Sequence, residues 1–295
     1  MPLPIGINPI TWSNDDMPEL GADIALESCL SEAKAAGYEG VELGRKFPRE
    51  AATLGPLLER HGLKLVSGWY GARLLERSAE AEIAALESHL SLLATLGARV
   101  MVFAETSGSI AGDRSRPLSE RPRLAEDDWA PFAARLARVA DHLARRGVRM
   151  AYHHHMGTVI ESEVEIDRLM ALTGESVGLL LDTGHLAYAG GDPLALARRH
   201  ARRINHVHLK DVRGQVLARA RARDLGFLAA VLEGVFTVPG DGSIDYGPLL
   251  SALHAGHYRG WLVVEAEQDP AKAHPLTYAT MGRRYLGEAA RAAGL

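Results

Sequence analysis

Eight short apolar runs, each followed by an amphipathic stretch, recur along the 295 residues of the chain. The runs fall near 4–10, 39–43, 63–69, 98–104, 148–154, 177–182, 203–209 and 260–266. Stretches of helical period fall near 24–37, 48–61, 77–96, 126–146, 162–173, 192–202, 246–256 and 272–293. Several runs, such as Val100-Met101-Val102-Phe103 and Val177-Gly178-Leu179-Leu180-Leu181, are apolar throughout. A strand with one wet face alternates in polarity, so a continuous apolar run suits a strand covered on both faces in a parallel sheet. Eight β-then-α units predict a (β/α)8 barrel, one domain spanning 1–295. An open doubly wound sheet would carry a glycine-rich phosphate turn after its first strand. Thr11-Trp12-Ser13-Asn14-Asp15-Asp16 stands there instead. Two connections, 105–125 and 211–245, are long, and long ordered connections on a barrel usually serve its active-site end.

Barrel enzymes draw their chemistry from the C-terminal ends of the strands, and polar residues sit at those ends. Residues 150–157 read Met-Ala-Tyr-His-His-His-Met-Gly. Strand alternation puts His153 and His155 on one face and Tyr152 and His154 on the other. Glu42 ends the second strand, Asp182 the sixth with His185 beyond it, His208 and Lys210 the seventh, and Glu265 and Glu267 the eighth. Asp182 alone reads as a helix N-cap. Imidazoles and carboxylates converging from four strands read as a divalent-cation site. With no thiolate in the set, five- or six-coordinate Mn²⁺ or Co²⁺ suits it, since two substrate oxygens would complete the shell. Lys210 differs from the other four lysines because it lies in a strand run, where an ammonium can be buried as a point charge. His154, His254, His257 and His274 are expected on the surface.

The formal charge of −4 argues against a general polyanion binder, so nucleic acid is not an expected partner. No apolar run approaches the ~18 residues of a membrane span, and no basic-then-apolar leader opens the sequence. The single cysteine, Cys29, reads as core filler, and a chain without disulfides fits the cytoplasm.

Asp182-Thr183-Gly184-His185, His206-Val207-His208-Leu209-Lys210-Asp211 and Val263-Val264-Glu265 resemble the xylose isomerase-like barrel superfamily. The resemblance narrows with Asn14-Asp15-Asp16-Met17-Pro18, Gly40-Val41-Glu42-Leu43-Gly44-Arg45, Val66-Ser67-Gly68-Trp69-Tyr70 and the triple-histidine run. Together these are similar to the inosose dehydratases over nearly the whole chain. The resemblance implies a hydro-lyase acting on a cyclic polyol ketone, 2-keto-myo-inositol, with a divalent metal and an accompanying requirement for glutathione. It implies metal ligands at His153, Asp182, His208 and Glu265, with His155 as the alternative on the fifth strand. Epimerases and isomerases of this fold carry a glutamate at that strand, so a histidine there weakens a two-carboxylate proton shuttle. Glu42, His185, Lys210 and Glu265 are then candidates for proton transfer. Trp12, Arg45, Trp69, His155 and Glu267 are candidates for contact with substrate. The reading allows a homo-oligomer. Its rivals are a sugar epimerase or ketose isomerase on the same barrel, a phosphodiester-cleaving endonuclease of the superfamily, and a non-catalytic sugar-binding protein.

Overall fold

The computed structural model describes residues 2–295. Its eight principal strands are β1 (Ile5–Ile7), β2 (Gly40–Leu43), β3 (Lys64–Ala72), β4 (Val100–Glu105), β5 (Arg149–His153), β6 (Val177–Asp182), β7 (Ile204–Leu209) and β10 (Leu262–Val264). They close into a parallel barrel in the order β1-β10-β7-β6-β5-β4-β3-β2. Eight helices fall where the amphipathic stretches predict them: α1 (Leu26–Ala35), α2 (Ala51–Arg60), α3 (Ala79–Thr95), α4 (Trp129–Arg145), α5 (Glu163–Leu172), α7 (Pro193–Arg199), α10 (Tyr246–Ala255) and α11 (Pro275–Ala292). The single-domain (β/α)8 expectation therefore holds. Cys29 lies buried in the main apolar cluster, as core filler should. Among the described residues, no helix is long and apolar enough to cross a membrane.

The structure adds elements that periodicity alone does not reveal. Helix α6 (Thr183–Ala189) starts directly at the end of β6, with the Asp182 side chain accepting from the His185 N–H at 2.8 Å. One carboxylate oxygen of Asp182 is thus fixed by backbone, which orients the other. The 211–245 connection holds α8 (Gly214–Ala222), α9 (Phe227–Leu232) and a small antiparallel pair, β8 (Asp211–Val212) with β9 (Phe236–Thr237). Phe227 and Phe236 from this excursion pack on the ring of His185. They form an apolar backing behind the strand-end histidines, and they explain why the connection is long.

The excursion is tied down by Asp211. Its buried carboxylate accepts from the backbone N–H groups of Val212, Gly240, Gly242 and Ile244 at 2.8–3.2 Å. A Cβ at Gly242 would lie 2.2 Å from this carboxylate, so only glycine lets the loop approach so closely. Removing the acceptor strands four amide donors. Asp211→Ala is expected to lower stability by roughly 2–4 kcal/mol in urea unfolding, with the far-ultraviolet dichroism of the folded state unchanged. An unaltered midpoint would show that the loop holds without its anchor.

Candidate metal centre

The C-terminal mouth of the barrel gathers most of the strand-end polar residues. His153 comes from β5, Asp182 from β6 and His208 from β7, and Glu265 lies just past β10. Each offers one ligand atom, and these four atoms all lie within 4.8 Å of one another, all on buried residues. His153 Nε2 and His208 Nδ1 each stand 3.5 Å from Asp182 Oδ2. Metal–ligand bonds of about 2.1 Å place tetrahedral ligand atoms roughly 3.4 Å apart, so these spacings fit a shared cation.

Hydrogen bonding distinguishes this group from its neighbours. Asp182 Oδ2 and His208 Nδ1 are buried without a hydrogen-bond partner. His208 Nδ1 lies 2.6 Å from Glu265 Oε2, but the contact lacks hydrogen-bond geometry. Two other residue groups also have metal-like spacing: Glu42 with His206 and His208, and His185 with Glu265 and Glu267. In the first, Glu42 already accepts from His206 Nε2 at 2.9 Å. The second is filled by the Lys210 ammonium, 2.6 Å from Glu265 Oε1, 2.8 Å from Glu267 Oε2 and 2.9 Å from His185 Nε2. Only the group around Asp182 leaves a buried carboxylate oxygen facing two imidazoles with no donor, and buried charge of that kind calls for a cation.

Charge sets the state of each group. Burial alone pushes Asp182 upward, but Lys210 and the surrounding histidines outweigh it and hold the carboxyl well below its usual range. Burial disfavours charge on His208 as well, yet Glu265 and Glu42 on either side raise it well above the ordinary histidine value. Desolvation lowers His153, and it lowers His155 to about 3. Lys210 is raised above the ordinary ammonium range because Glu265, Glu267 and Asp182 overcome its burial.

Glu42, a candidate for proton transfer, is engaged at both oxygens. Its oxygens take the Nε2 atoms of His206 at 2.9 Å and of His208 at 3.1 and 3.2 Å, the Asn8 amide at 2.8 Å, and the Ser67 hydroxyl. Burial would raise its pKa, but His208 and His206 bring it well below the usual range. A carboxylate can only accept, so Nε2 carries the hydrogen in both rings. For His208 this directs Nδ1 toward Asp182 and Glu265, the orientation that a cation ligand requires. Sequence reasoning missed Asn8, which also reaches Glu265 Oε2 at 3.3 Å; the two-residue spacing of His206 from His208 on one strand puts both inside the barrel.

A cavity of about 280 Å³ opens over the cluster. Of the expected substrate contacts, Trp69, His155 and Glu267 line it, as do Glu42, His153, His208 and Glu265. Trp69 meets the rings of His153 and His155 edge-on, at 5.2 and 5.6 Å. Asp15 and Asp16 line it too and were not picked out from sequence. The Asn14 side chain caps the turn by accepting from the Asp16 and Met17 N–H groups, both at 2.8 Å. Desolvation raises both aspartates above the usual carboxylate range.

Five residues take places that the sequence does not reveal. Trp12 is core, buried among apolar side chains, with its indole N–H donating to Glu32 at 2.6 Å. Arg45 is exposed; its guanidinium donates to Pro18 O and its backbone N–H to Asp15, so it braces the rim. Lys210 and His185 are buried behind the ligand cluster and do not line the cavity. His154, expected outside, is fully buried, because the outer face of a barrel strand is covered by helices. His254, His257 and His274 are exposed as expected.

The family profile for the xylose isomerase-like TIM barrel matches residues 30–288. The chain belongs to that family. Within it, the chain is 56% identical over its full length to the rhizopine catabolism protein MocC of Rhizobium meliloti, covering 90% of that protein. It is 46% identical to the inosose dehydratase of Geobacillus thermodenitrificans, over 96% of each chain. It is 44% identical to that of Lacticaseibacillus casei, over 97% of each. Solved barrels of the family share the fold at lower identity. L-ribulose 3-epimerase superposes with a TM-score of 0.70 at 19% identity, covering 100% of this chain and 96% of that one. The IolI protein, solved with a zinc atom, gives 0.69 at 16%, covering 98% of each.

The His208 tautomer is open to a direct test at Glu42. Glu42→Gln replaces an acceptor-only group with one that also donates, and it loosens the His208 ring. Metal affinity, measured by competition with a chromogenic chelator, is expected to fall about 10- to 100-fold. An unchanged affinity would remove Glu42 from the support of His208.

Proposed function

We propose that this chain is a cytoplasmic, metal-dependent hydro-lyase that dehydrates 2-keto-myo-inositol, an inosose, to a trihydroxycyclohexane-1,2-dione. The observation that carries this reading is the set of ligand atoms from four strands, with a donor-free oxygen of Asp182 at its centre, beneath a carboxylate-lined cavity. The inosose dehydratase relatives support the substrate class. His153, Asp182, His208 and Glu265 would hold the cation, with Mn²⁺ or Co²⁺ preferred for an imidazole and carboxylate set. Glutathione enters only through the family resemblance.

A bound divalent cation supplies Lewis acidity that lowers the cost of withdrawing a proton beside a ketone. The chain's own groups divide the remaining work. Lys210 holds Glu267 by Oε2 at 2.8 Å, and Glu267 lines the cavity as the base that takes the α-proton. Lys210 itself stays a fixed cation. Asp16 lines the same cavity, on the loop after the neighbouring strand β1, and protonates the β-hydroxyl as it leaves as water. The enol that remains tautomerises to the dione. Asp15, His155 and Trp69 orient the ring and its hydroxyls. Each well-placed acid or base is worth about 10²–10⁴ in rate.

One observation favours a second reading of the physiological role. Identity to the rhizopine catabolism protein, at 56%, exceeds that to the inosose dehydratases, at 46%. In that reading the same mouth serves rhizopine catabolism.

Purified protein loaded with Mn²⁺ or Co²⁺ is expected to convert 2-keto-myo-inositol to an ultraviolet-absorbing diketone. A product of unchanged mass, altered at one stereocentre, would replace dehydration by epimerisation. Asp182→Ala should abolish metal-dependent turnover while keeping the barrel's circular dichroism, and full activity in metal-free Asp182→Ala would refute the ligand role. Glu267→Gln should bind metal normally and lose about 10²–10⁴ in kcat; undiminished kcat excludes Glu267 as the base.

A further inference from the structure

The opposite end of the barrel carries a second cavity, of about 530 Å³, built from the N-terminal ends of the strands. Lys64, Arg99, Arg149 and Arg259 line it, and no carboxylate does. Arg199, by contrast, is paired with both Glu163 and Asp167. In a chain of net charge −4, four cations without acids around one hollow create a local positive field that favours an anion. The cavity also reaches a polar floor. His206 lines it and is fully buried, and its Nδ1 has no hydrogen-bond partner. Because His206 Nε2 donates to Glu42 at 2.9 Å, Nδ1 presents a lone pair. Asn205 adds a second unpartnered acceptor: its amide nitrogen donates to Met150 O at 2.8 Å, and its Oδ1 is left free.

Cations at the rim with bare acceptors at the floor specify an unusual ligand. A fully deprotonated oxyanion would satisfy the arginines but oppose the lone pairs. An oxyanion that also carries O–H groups satisfies both. We propose that the N-terminal mouth of this barrel binds phosphate, either free with its own O–H or as the phosphate group of a small hydroxylated molecule. The ligand would lie on the far side of His206 and Glu42 from the metal cluster, so it would be bound there and not turned over.

The test uses the metal-loaded protein and isothermal titration with inorganic phosphate, sulfate and glucose 6-phosphate at constant ionic strength. One-site binding of phosphate or glucose 6-phosphate is expected, with sulfate at least tenfold weaker because it offers no O–H at neutral pH. The two phosphate arms separate a free-anion site from one that needs the attached hydroxyls. The Arg99→Ala/Arg149→Ala double variant alters exposed side chains and should fold normally. It should bind at least tenfold more weakly, with dehydration in phosphate-free buffer unchanged. No heat up to 10 mM of any probe, equal affinity for sulfate, or undiminished binding by the double variant would each overturn the assignment. These outcomes are independent of whether the enzyme dehydrates an inosose.

Discussion

The structure turns on charge buried at one end of the barrel. Glu42, Asp182, Glu265 and Glu267 are all almost inaccessible, and so is Lys210. An unpaired ion in such a place costs several kcal/mol even after relaxation, so every charge there needs a partner. Lys210 serves the inner side, with contacts of 2.6 and 2.8 Å to Glu265 and Glu267. Its stem fits because residue 184 is glycine: a Cβ there would lie 2.5 Å from Lys210 Cγ. The Phe236 ring, 4.8 Å from the ammonium, closes the apolar side. One ammonium cannot serve both sides of the cluster. Asp182 Oδ2 is 3.8 Å from it, has no hydrogen-bond donor, and faces two imidazoles. A divalent cation on that outer side completes the charge balance that Lys210 begins.

The barrel interior extends this logic downward as a chain of fixed tautomers. His208 and His206 project from the same face of β7, and Glu42 on β2 receives both. Ser67 from β3 and Asn8 after β1 add two more donors to the same carboxylate. Glu42 is therefore saturated and held in its charged form, which suits an orienting group and not a base that must gain and lose a proton. In the proposed mechanism the proton chemistry falls to carboxylates at the cavity wall, Glu267 and Asp16.

Strand ends were legible in the sequence because apolar runs mark strands and their last polar residue marks the mouth. That rule located Glu42, His153, Asp182, His208 and Glu265 and brought them to one place. It did not tell which polar residues face the cavity and which lie behind the cluster, because depth depends on packing between non-adjacent strands. Lys210 and His185 lie behind the cavity wall for this reason: Lys210 continues the β7 run beyond its inward-facing histidines, and His185 turns away with α6. His154 went wrong because strand alternation gives the face but not what covers it. Trp12 went wrong because a strand-end loop can fold back into the core. Asn8 was accessible to the same rule, since it follows β1 directly, whereas the inward reach of Asp16 depends on the Asn14 turn and has no periodic signature.

The fifth-strand histidine has a consequence that follows from charge counting alone. With His153 and His208 as imidazoles, Asp182 and Glu265 supply two negative charges, which match a divalent cation. Lys210 then remains to offset the charge of Glu267, while Glu42 is met by His206 and His208. A carboxylate in place of His153 would add a third negative ligand, draw Lys210 further toward the cation site, and leave Glu267 less firmly held. It would also add, from β5, a further carboxylate able to exchange protons beside the cation. A neutral ligand on β5 therefore leaves the proposed proton abstraction to Glu267 and proton delivery to Asp16, two cavity carboxylates outside the ligand set. Loss of a hydroxyl needs a proton taken from carbon and one delivered to oxygen, and it does not need a matched pair across the ring. Inversion at a single carbon instead requires two matched groups across the ring. The buried charge count at the barrel mouth thus favours elimination over epimerisation on a scaffold that relatives of this fold use for either.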